Sequence, residues 1–358
     1  MNKKIVALAV AAAFAIPAAA SAQTTLFGQF KYEVGAVENL DGDRGAVHSS
    51  IGTRLGIRGA EDLGGGLQGI YRFQSGFAQV NEGFGNRDVP ADEIAEGLDV
   101  TVGQSFNLDE EAWVGLQGGF GRVLLGRSDT AFKQASIPFR AFTDTLADLS
   151  TRPASFGRAE GVHYVTPSFG GFTVAATVEP NGAEFDSYWS LAGIYRQGPL
   201  FVSAAVEGAP DTSDVYPNEG LNTTLYQGGG KAVVADGTNW QVGASYTWND
   251  LTFGVLYQDI DDVAEWITIP VSYAVTPNIT LRAAAQYRDP EADGADDGTN
   301  FGLGAQYNFS SRTELFANVW ADDFTANETP AEGGPVTPGA LGGAADKTHF
   351  GVGLRHSF

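Results

Sequence analysis

The stretch Lys347–Phe358 reads K-T-H-F-G-V-G-L-R-H-S-F, and its reading decides the fold. Alternate residues taken back from the end are Phe358, His356, Leu354, Val352 and Phe350. The other set is Ser357, Arg355, Gly353, Gly351 and His349. The first set is mostly apolar and ends on an aromatic ring, while the second is small, polar or charged. Successive side chains of a strand point to opposite faces, so this is a strand between something oily and something wet. We read it as the closing strand of a transmembrane antiparallel β-barrel, paired with the first strand so that no edge stays open.

The same grammar recurs upstream. Asn300–Phe309 puts Phe301, Leu303, Ala305, Tyr307 and Phe309 on one face, against Gly302, Gly304, Gln306 and Asn308. Trp240–Trp248 and Ile279–Tyr287 repeat it, with aromatics at the ends of the apolar faces, as the interfacial girdles of a barrel require. Connections alternate in length. Short ones fall at 118–121, 168–171, 197–199, 249–250, 276–278 and 310–311. Long ones, rich in Gly, Asp, Glu, Pro and Asn, fall at 80–105, 128–160, 208–237, 288–299 and 325–346. Short turns on one rim and long loops on the other are the outer-membrane pattern. The spacing predicts strands at 24–37, 48–59, 66–79, 107–117, 121–127, 160–166, 171–179, 187–197, 199–208, 238–248, 250–260, 264–275, 278–288, 298–309, 312–323 and 347–358. That makes an all-β barrel of about sixteen strands, wide enough for an aqueous channel. Pro270 falls inside one of these strands, where it removes a ladder donor.

The N-terminus carries Lys3 and Lys4, an apolar run from Ile5 to Ile16, and the small-residue triplet Ala20-Ser21-Ala22. This is the form of a secretory signal peptide over 1–22, with one mature barrel domain over 23–358. Loss of Lys3 and Lys4 takes the formal net charge from −22 to about −24. A chain this acidic does not seek nucleic acid through bulk charge. Its acidic loops read as a solvated surface, with divalent-cation binding as the alternative. Cys is absent from the 358 residues, so the fold rests on its backbone ladder and packing rather than on disulfides.

The connection 128–160, the longest left outside the predicted strands and the third on its rim after 38–47 and 80–105, is apolar for a loop, with Phe132, Ile137, Phe139, Phe142, Leu146 and Leu149. Such a loop packs somewhere, and the lumen is the natural place. Its Asp144 and Asp148 would then face basic residues on the wall. In Ser50–Gly59, placing Ile51, Leu55 and Ile57 toward lipid sends Arg54 and Arg58 into the lumen. Arg72 and Lys31 follow by the same parity. An arginine on the lipid face costs about 2–4 kcal/mol at mid-depth, which favours the luminal choice. Opposed rows of arginines and carboxylates would order water and sort solutes by charge.

Five motifs in order cover essentially the whole mature chain: T-L-F-G at Thr25–Gly28, S-x-x-x-R-L-G-I-R-G-x-E-D-L-G-G-G-L from Ser50 to Leu67, W-V-G-L-x-G-x-F-G-x-V-x-L-G-R from Trp113 to Arg127, Y-x-x-P-x-F-G-G-F at Tyr164–Phe172, and the terminal L-R-H-S-F. In these the chain resembles the general porins of Gram-negative outer membranes. The resemblance implies a sixteen-stranded barrel in the cell outer membrane, surrounded by lipid and lipopolysaccharide. It also implies a homotrimer and a third loop folded inward as the eyelet. Arg54 matches the family's wall arginine, and Arg152 and Arg158 fall near its basic positions at the end of the third loop. Where a further family arginine would stand, this chain has Glu110 and Glu111. That departure should weaken anion preference and could tilt the pore toward cations. The loop also has Ile137-Pro138-Phe139 where some members have Pro-Glu-Phe-Gly.

The leading function is passive diffusion of ions and small hydrophilic solutes, with weak charge selectivity at the eyelet. The alternative is a substrate-specific channel for a small organic anion or sugar, which would carry an aromatic track. An enzyme is disfavoured. Of the four histidines, His48, His163, His349 and His356, His356 falls on the lipid face and His349 on the luminal one, so neither of these two has an evident Ser or Asp partner at close spacing, and neither G-x-S-x-G nor H-E-x-x-H occurs. No cofactor or resident metal is implied.

Overall fold

The computed structural model describes residues 23–38, 44–76, 80–82, 110–155, 157–180, 188–209, 237–261, 263–291, 297–322 and 347–358. The expected signal peptide over 1–22, most of the long connections other than the third, and the first residues of the strand expected at 107–117 lie outside these residues. The strand segments are β1 (Gln23–Glu38), β2 (Arg44–Ser49), β3 (Arg54–Gly64), β4 (Leu67–Gly76), β5 (Val80–Glu82), β6 (Glu111–Gly118), β7 (Gly121–Asp129), β8 (Arg158–Val165), β9 (Phe172–Glu179), β10 (Tyr188–Gln197), β11 (Leu200–Ala209), β12 (Gly237–Trp248), β13 (Leu251–Ile260), β14 (Ala264–Thr276), β15 (Ile279–Pro290), β16 (Gly298–Asn308), β17 (Thr313–Asp322) and β18 (Lys347–Ser357). β2 and β3 are one pass broken at residues 50–53, and β5 prolongs β4 beyond residues 77–79. Sixteen antiparallel passes therefore close into one barrel.

Closure joins the two ends of the chain. Gln29 to Ala36 pair with Ser357 to Phe350, and the Phe358 amide donates to the Gly28 carbonyl at 3.0 Å. The alternation read from the sequence sets the two faces. Leu26, Phe30, Tyr32 and Val34 of β1 point outward and are exposed in the isolated chain, while Lys31 and Glu33 between them are buried inside. Phe350, Val352, Leu354 and Phe358 repeat this at the other end. A continuous outward apolar band is what hydrocarbon demands, since every backbone polar group in it is satisfied by the ladder.

Two irregularities have local causes. Pro270 lies within β14, and the ladder to β13 passes from Val271–Phe253 to Thr268–Leu256 with nothing paired between. The ladder to β15 runs through Pro270–Ala284 unbroken. The missing N–H thus costs bonding on one side only. The second pass, expected as one strand over 48–59, begins at Arg44 and breaks at residues 50–53. There the Thr53 amide donates to the Ser50 carbonyl at 2.9 Å, and Gly52 takes φ +85°. Ile51 therefore sits in a turn rather than on the lipid face of a strand, and the parity argument applies only from Arg54 onward.

The third loop lies inside the barrel. The helix Ala131–Ser136 packs against β9–β11, the turn Ile137–Phe139 against β13 and β14, and the helix Leu146–Thr151 against β15–β18. Phe132, Phe139, Phe142 and Leu146, the apolar residues that marked this loop in the sequence, are almost fully buried against the wall.

Candidate channel constriction

The wall holds the loop mainly through luminal side chains that bond its backbone. Thr177 and Ser190 hydroxyls accept from the Ala131 amide at 3.0 and 3.1 Å, and the Gln241 amide donates to the Phe132 carbonyl at 2.6 Å. Gln258 clasps Ala154 with both ends of its amide, accepting from the backbone N–H at 2.9 Å and donating to the carbonyl at 2.8 Å. Gln286 donates to the Arg152 carbonyl at 3.2 Å. At the far end Glu33 accepts from the Leu146 amide at 2.9 Å. These contacts follow the wall from β9 round to β1. The remaining arc, β3 to β8, faces the loop's charged residues.

The sequence-chosen residues divide into those that meet across this gap and those that do not. Arg54 of β3 reaches Asp144 of the loop, Nη2 to Oδ2 at 3.3 Å. Arg72 pairs with Glu111 at 3.1 Å and donates to Gln74, which in turn donates to Glu110. Arg58 and Arg72 are cross-strand partners, and both guanidiniums lie about the Phe27 ring, 5.0 and 4.8 Å from its centroid. Arg158 meets Asp129 at 3.1 Å. Two chosen residues lie away from open water. Lys31 is fully buried and paired with Glu33 at 2.9 Å. Asp148 is buried and turned back onto Arg140 of its own loop. Arg152 is partly exposed beyond the second loop helix, its carbonyl rather than its guanidinium making the bond to the wall.

Sequence reasoning missed Lys133, Arg140 and Asp129, and it noted Glu111 without placing it in the site. Lys133 and Arg140 sit on the loop, where strand parity has no purchase; Lys133 pairs with Asp129 at 2.7 Å. Glu111 and Asp129 sit on the wall, and alternation would have put Glu111 on the face opposite Val114 and Leu116. The loop is therefore not a purely acidic edge facing a basic wall. Both sides carry both signs.

Burial opposes ionisation of Asp144, but the Arg54 and Arg140 guanidiniums outweigh it and hold the carboxyl below the usual carboxylate range. Burial likewise opposes charge on Arg140, and Asp148 overrides it, so this guanidinium is still more firmly protonated than usual. Lys133 goes the other way, pushed down by burial that Asp129 only partly offsets. Among the described residues no group of three or more His, Cys, Asp or Glu side chains is arranged to hold a metal ion.

A family model described as Gram-negative porin matches residues 7–327. The chain is 26% identical over 377 residues to the major outer membrane protein P.IB of Neisseria meningitidis serogroup B, covering all of both chains. Among solved structures it resembles an anion-selective porin from Comamonas acidovorans, with TM-score 0.69, 22% identity and coverage of 94% of this chain and 100% of that one. It also resembles an in-vitro folded OmpT of Vibrio cholerae in a trimer form, with TM-score 0.59, 18% identity and coverage of 94% and 99%. The family match spans most of the sequence and falls on a sixteen-pass barrel with its third loop turned inward, so this chain belongs to the Gram-negative porin family.

Proposed function

We propose that this outer-membrane channel is a passive diffusion pore whose eyelet lies between the third loop and the arc β3–β8. As a porin it is an outer-membrane protein and not an enzyme. The observation that carries the eyelet reading is the Arg54–Asp144 ion pair, which joins the loop tip to the facing wall. Arg54, Arg58, Arg72 and Arg158 on the wall and Arg152 on the loop form its basic side. Asp144 and Glu110 form its acidic side, with Lys31 and Asp148 acting from beneath by fixing the loop. Because most wall cations have a carboxylate partner, selectivity is weak. Counting Lys133, Arg140, Glu111, Asp129 and Asp148 with the eyelet but leaving out the Lys31–Glu33 pair, seven cations face five anions, so the small preference favours anions. The test is the reversal potential of purified protein in a planar bilayer under a potassium chloride gradient. A strongly cation-selective pore would refute this reading.

A solute-specific pore is the weaker reading. The third-loop phenylalanines, the candidates for an aromatic track for sugars, are packed into the wall instead. Liposome swelling should then grade with solute size and show no saturating sugar.

We also infer that the chain is exported with removal of residues 1–22 and assembles as a homotrimer. The trimer-form OmpT neighbour supports the latter. N-terminal sequencing should begin at Gln23, and chemical crosslinking should stop at three subunits.

A further inference from the structure

β8, β9 and β10 set three buried polar side chains side by side on the inner wall. His163 is the cross-strand partner of Thr177, and Thr177 is that of Ser190. The row ends on the third loop, because the Thr177 and Ser190 hydroxyls both accept from the Ala131 amide at the start of the first loop helix. His163 thus stands one hydroxyl behind the seat of the loop.

The ring's partners fix where its hydrogen lies. Nε2 is 3.1 Å from both the Gly126 and the Ala159 carbonyl oxygens. Carbonyls only accept, so Nε2 carries the hydrogen. Nδ1 is 3.2 Å from Thr177 Oγ1. In the neutral ring Nδ1 is bare, so the Thr177 hydroxyl donates to it and keeps its lone pairs for Ala131. A second proton on the ring breaks this order. Nδ1–H and the Ala131 N–H would then both donate to Thr177 Oγ1, and the hydroxyl hydrogen would have to turn elsewhere. The next oxygen along the row, Ser190 Oγ, already accepts from Ala131.

The carboxylates that act on the ring stand at the ends of neighbouring strands, Asp129 of β7 and Glu179 of β9. Asp129 is engaged by Lys133 and Arg158, at 2.7 and 3.1 Å, and Glu179 accepts from the Glu160 amide at 2.9 Å. Farther along, Glu207 of β11 is cross-strand to Ser190 and accepts from Tyr188 and Asn239 at 2.6 and 3.1 Å. Among the described residues none of these carboxylates hydrogen-bonds the ring, so a proton at Nδ1 meets Thr177.

We propose that His163 is a positioning residue for the third loop: as the neutral ring it seats Ala131 through Thr177, and on taking up a proton it releases that seat, so that the first loop helix loosens in acid. The docked arrangement has room for one proton fewer at this ring than an undocked, hydrated one. It is therefore favoured at neutral pH and loses ground as pH falls. The inference goes beyond the channel reading. It needs the docked loop and no particular selectivity, so a reversal potential that refuted the selectivity would leave it standing.

The test uses the purified full-length protein at constant ionic strength, from about pH 7.5 to about pH 4.5, across the ordinary histidine range. Hydrogen exchange, corrected for its intrinsic pH dependence, should show the protection of Ala131–Ser136 falling at least about ten-fold in acid while Leu146–Thr151 keeps its own. In planar bilayers closing events should become more frequent in acid and revert at neutral pH. His163→Asn, whose side-chain oxygen stands in for Nδ1 as an acceptor but takes no proton, should hold both readings flat across the range. Thr177→Val, which keeps the histidine but cuts its link to the loop, should be noisier at neutral pH and show no further acid step. Unchanged protection of the first loop helix in the acidified wild type overturns the proposal without any variant. A full acid step in His163→Asn assigns it to another group, and one in Thr177→Val excludes the hydroxyl relay; either result overturns it too.

Discussion

Gly52 of the broken second pass and Asp144 of the loop tip touch so closely that a Cβ on the glycine would lie 2.5 Å from the Cβ of the aspartate. Both residues have left-handed backbones, at φ +85° and +60°. The break in the wall and the bend in the loop are thus fitted to each other, and Arg54, two residues after the glycine, closes the contact with its ion pair.

Gly52→Ala should push the loop tip from the wall. The left-handed backbone alone costs about 1–2 kcal/mol for a residue with a side chain, and the collision adds to it. We expect a lower thermal midpoint and a changed, noisier single-channel conductance, while Gly119→Ala, with open space around it, should change neither. A variant indistinguishable from wild type would mean that this contact does not seat the tip.

Arg54→Glu should lower the chloride-to-potassium permeability ratio. In a hydrated lumen a unit charge acts on an ion about 8 Å away with about 0.5 kcal/mol, opposite in sign for chloride and potassium, so reversing it shifts the ratio of the two by about 2 kcal/mol, at most roughly thirty-fold before salt screens it. Arg54→Gln should give about half the free-energy change. Restoring arginine at Glu110 should move the ratio the opposite way. Reversal potentials in a salt gradient measure all three, and an unmoved potential in Arg54→Glu would exclude this residue from the eyelet.

The pH dependence follows from the depressed carboxyl of Asp144. A lowered folded-state pKa stabilises above the unfolded value and loses that stabilisation as pH falls through the folded one. The Arg54–Asp144 latch should therefore hold from neutral pH down to about 4, the ordinary carboxylate value, and release only in stronger acid. Conductance steps recorded down the pH scale should show a late acid transition that Asp144→Asn lacks. A transition of the same size in the variant would assign it to another group.

Lys31 and Glu33 form a fully buried pair beneath the loop. Lys31→Met should strand the carboxylate and cost about 3–5 kcal/mol, whereas Lys31→Met with Glu33→Gln should recover much of it. Chemical denaturation of the refolded protein reads both. A double variant no better than the single one would show that the charge pair itself is not what matters.

Gln258 is the matching anchor on the return limb. Gln258→Leu leaves the Ala154 N–H and carbonyl buried without these partners, a loss of about 1–3 kcal/mol each. The expected sign is current flicker from a loosened loop rather than altered selectivity, and a quiet trace would count against the anchor.

The barrel was legible because alternation has a period of two and lipid enforces it. Phe350, Val352 and Leu354 face outward for the same reason that Lys31 and Glu33 do not. The loop's inward course was legible from its phenylalanines. The turn at residues 50–53 was not, because Ser-Ile-Gly-Thr fits a strand as well as a turn, and only Lys31, whose backbone bonds the Thr53 hydroxyl at 3.1 and 2.9 Å, shows why the chain folds in there. The pairing at the eyelet was only half legible. Parity finds Arg54, Arg58 and Arg72 on strands, but it says nothing of Lys133 on a short helix or Arg140 just after the turn Ile137–Phe139, nor that Asp148 prefers Arg140 to the wall.

The pairing of Gln29–Ala36 with Phe350–Ser357 also constrains assembly. The two halves of that seam stand more than three hundred residues apart in the chain, so no early segment can complete the cylinder alone. An unsealed sheet would leave two rows of amide and carbonyl groups facing hydrocarbon. Insertion into the bilayer and sealing of the seam are then one coupled event, and a change that weakens either side of it should act first on how fast the wall forms, before any effect on what passes through it.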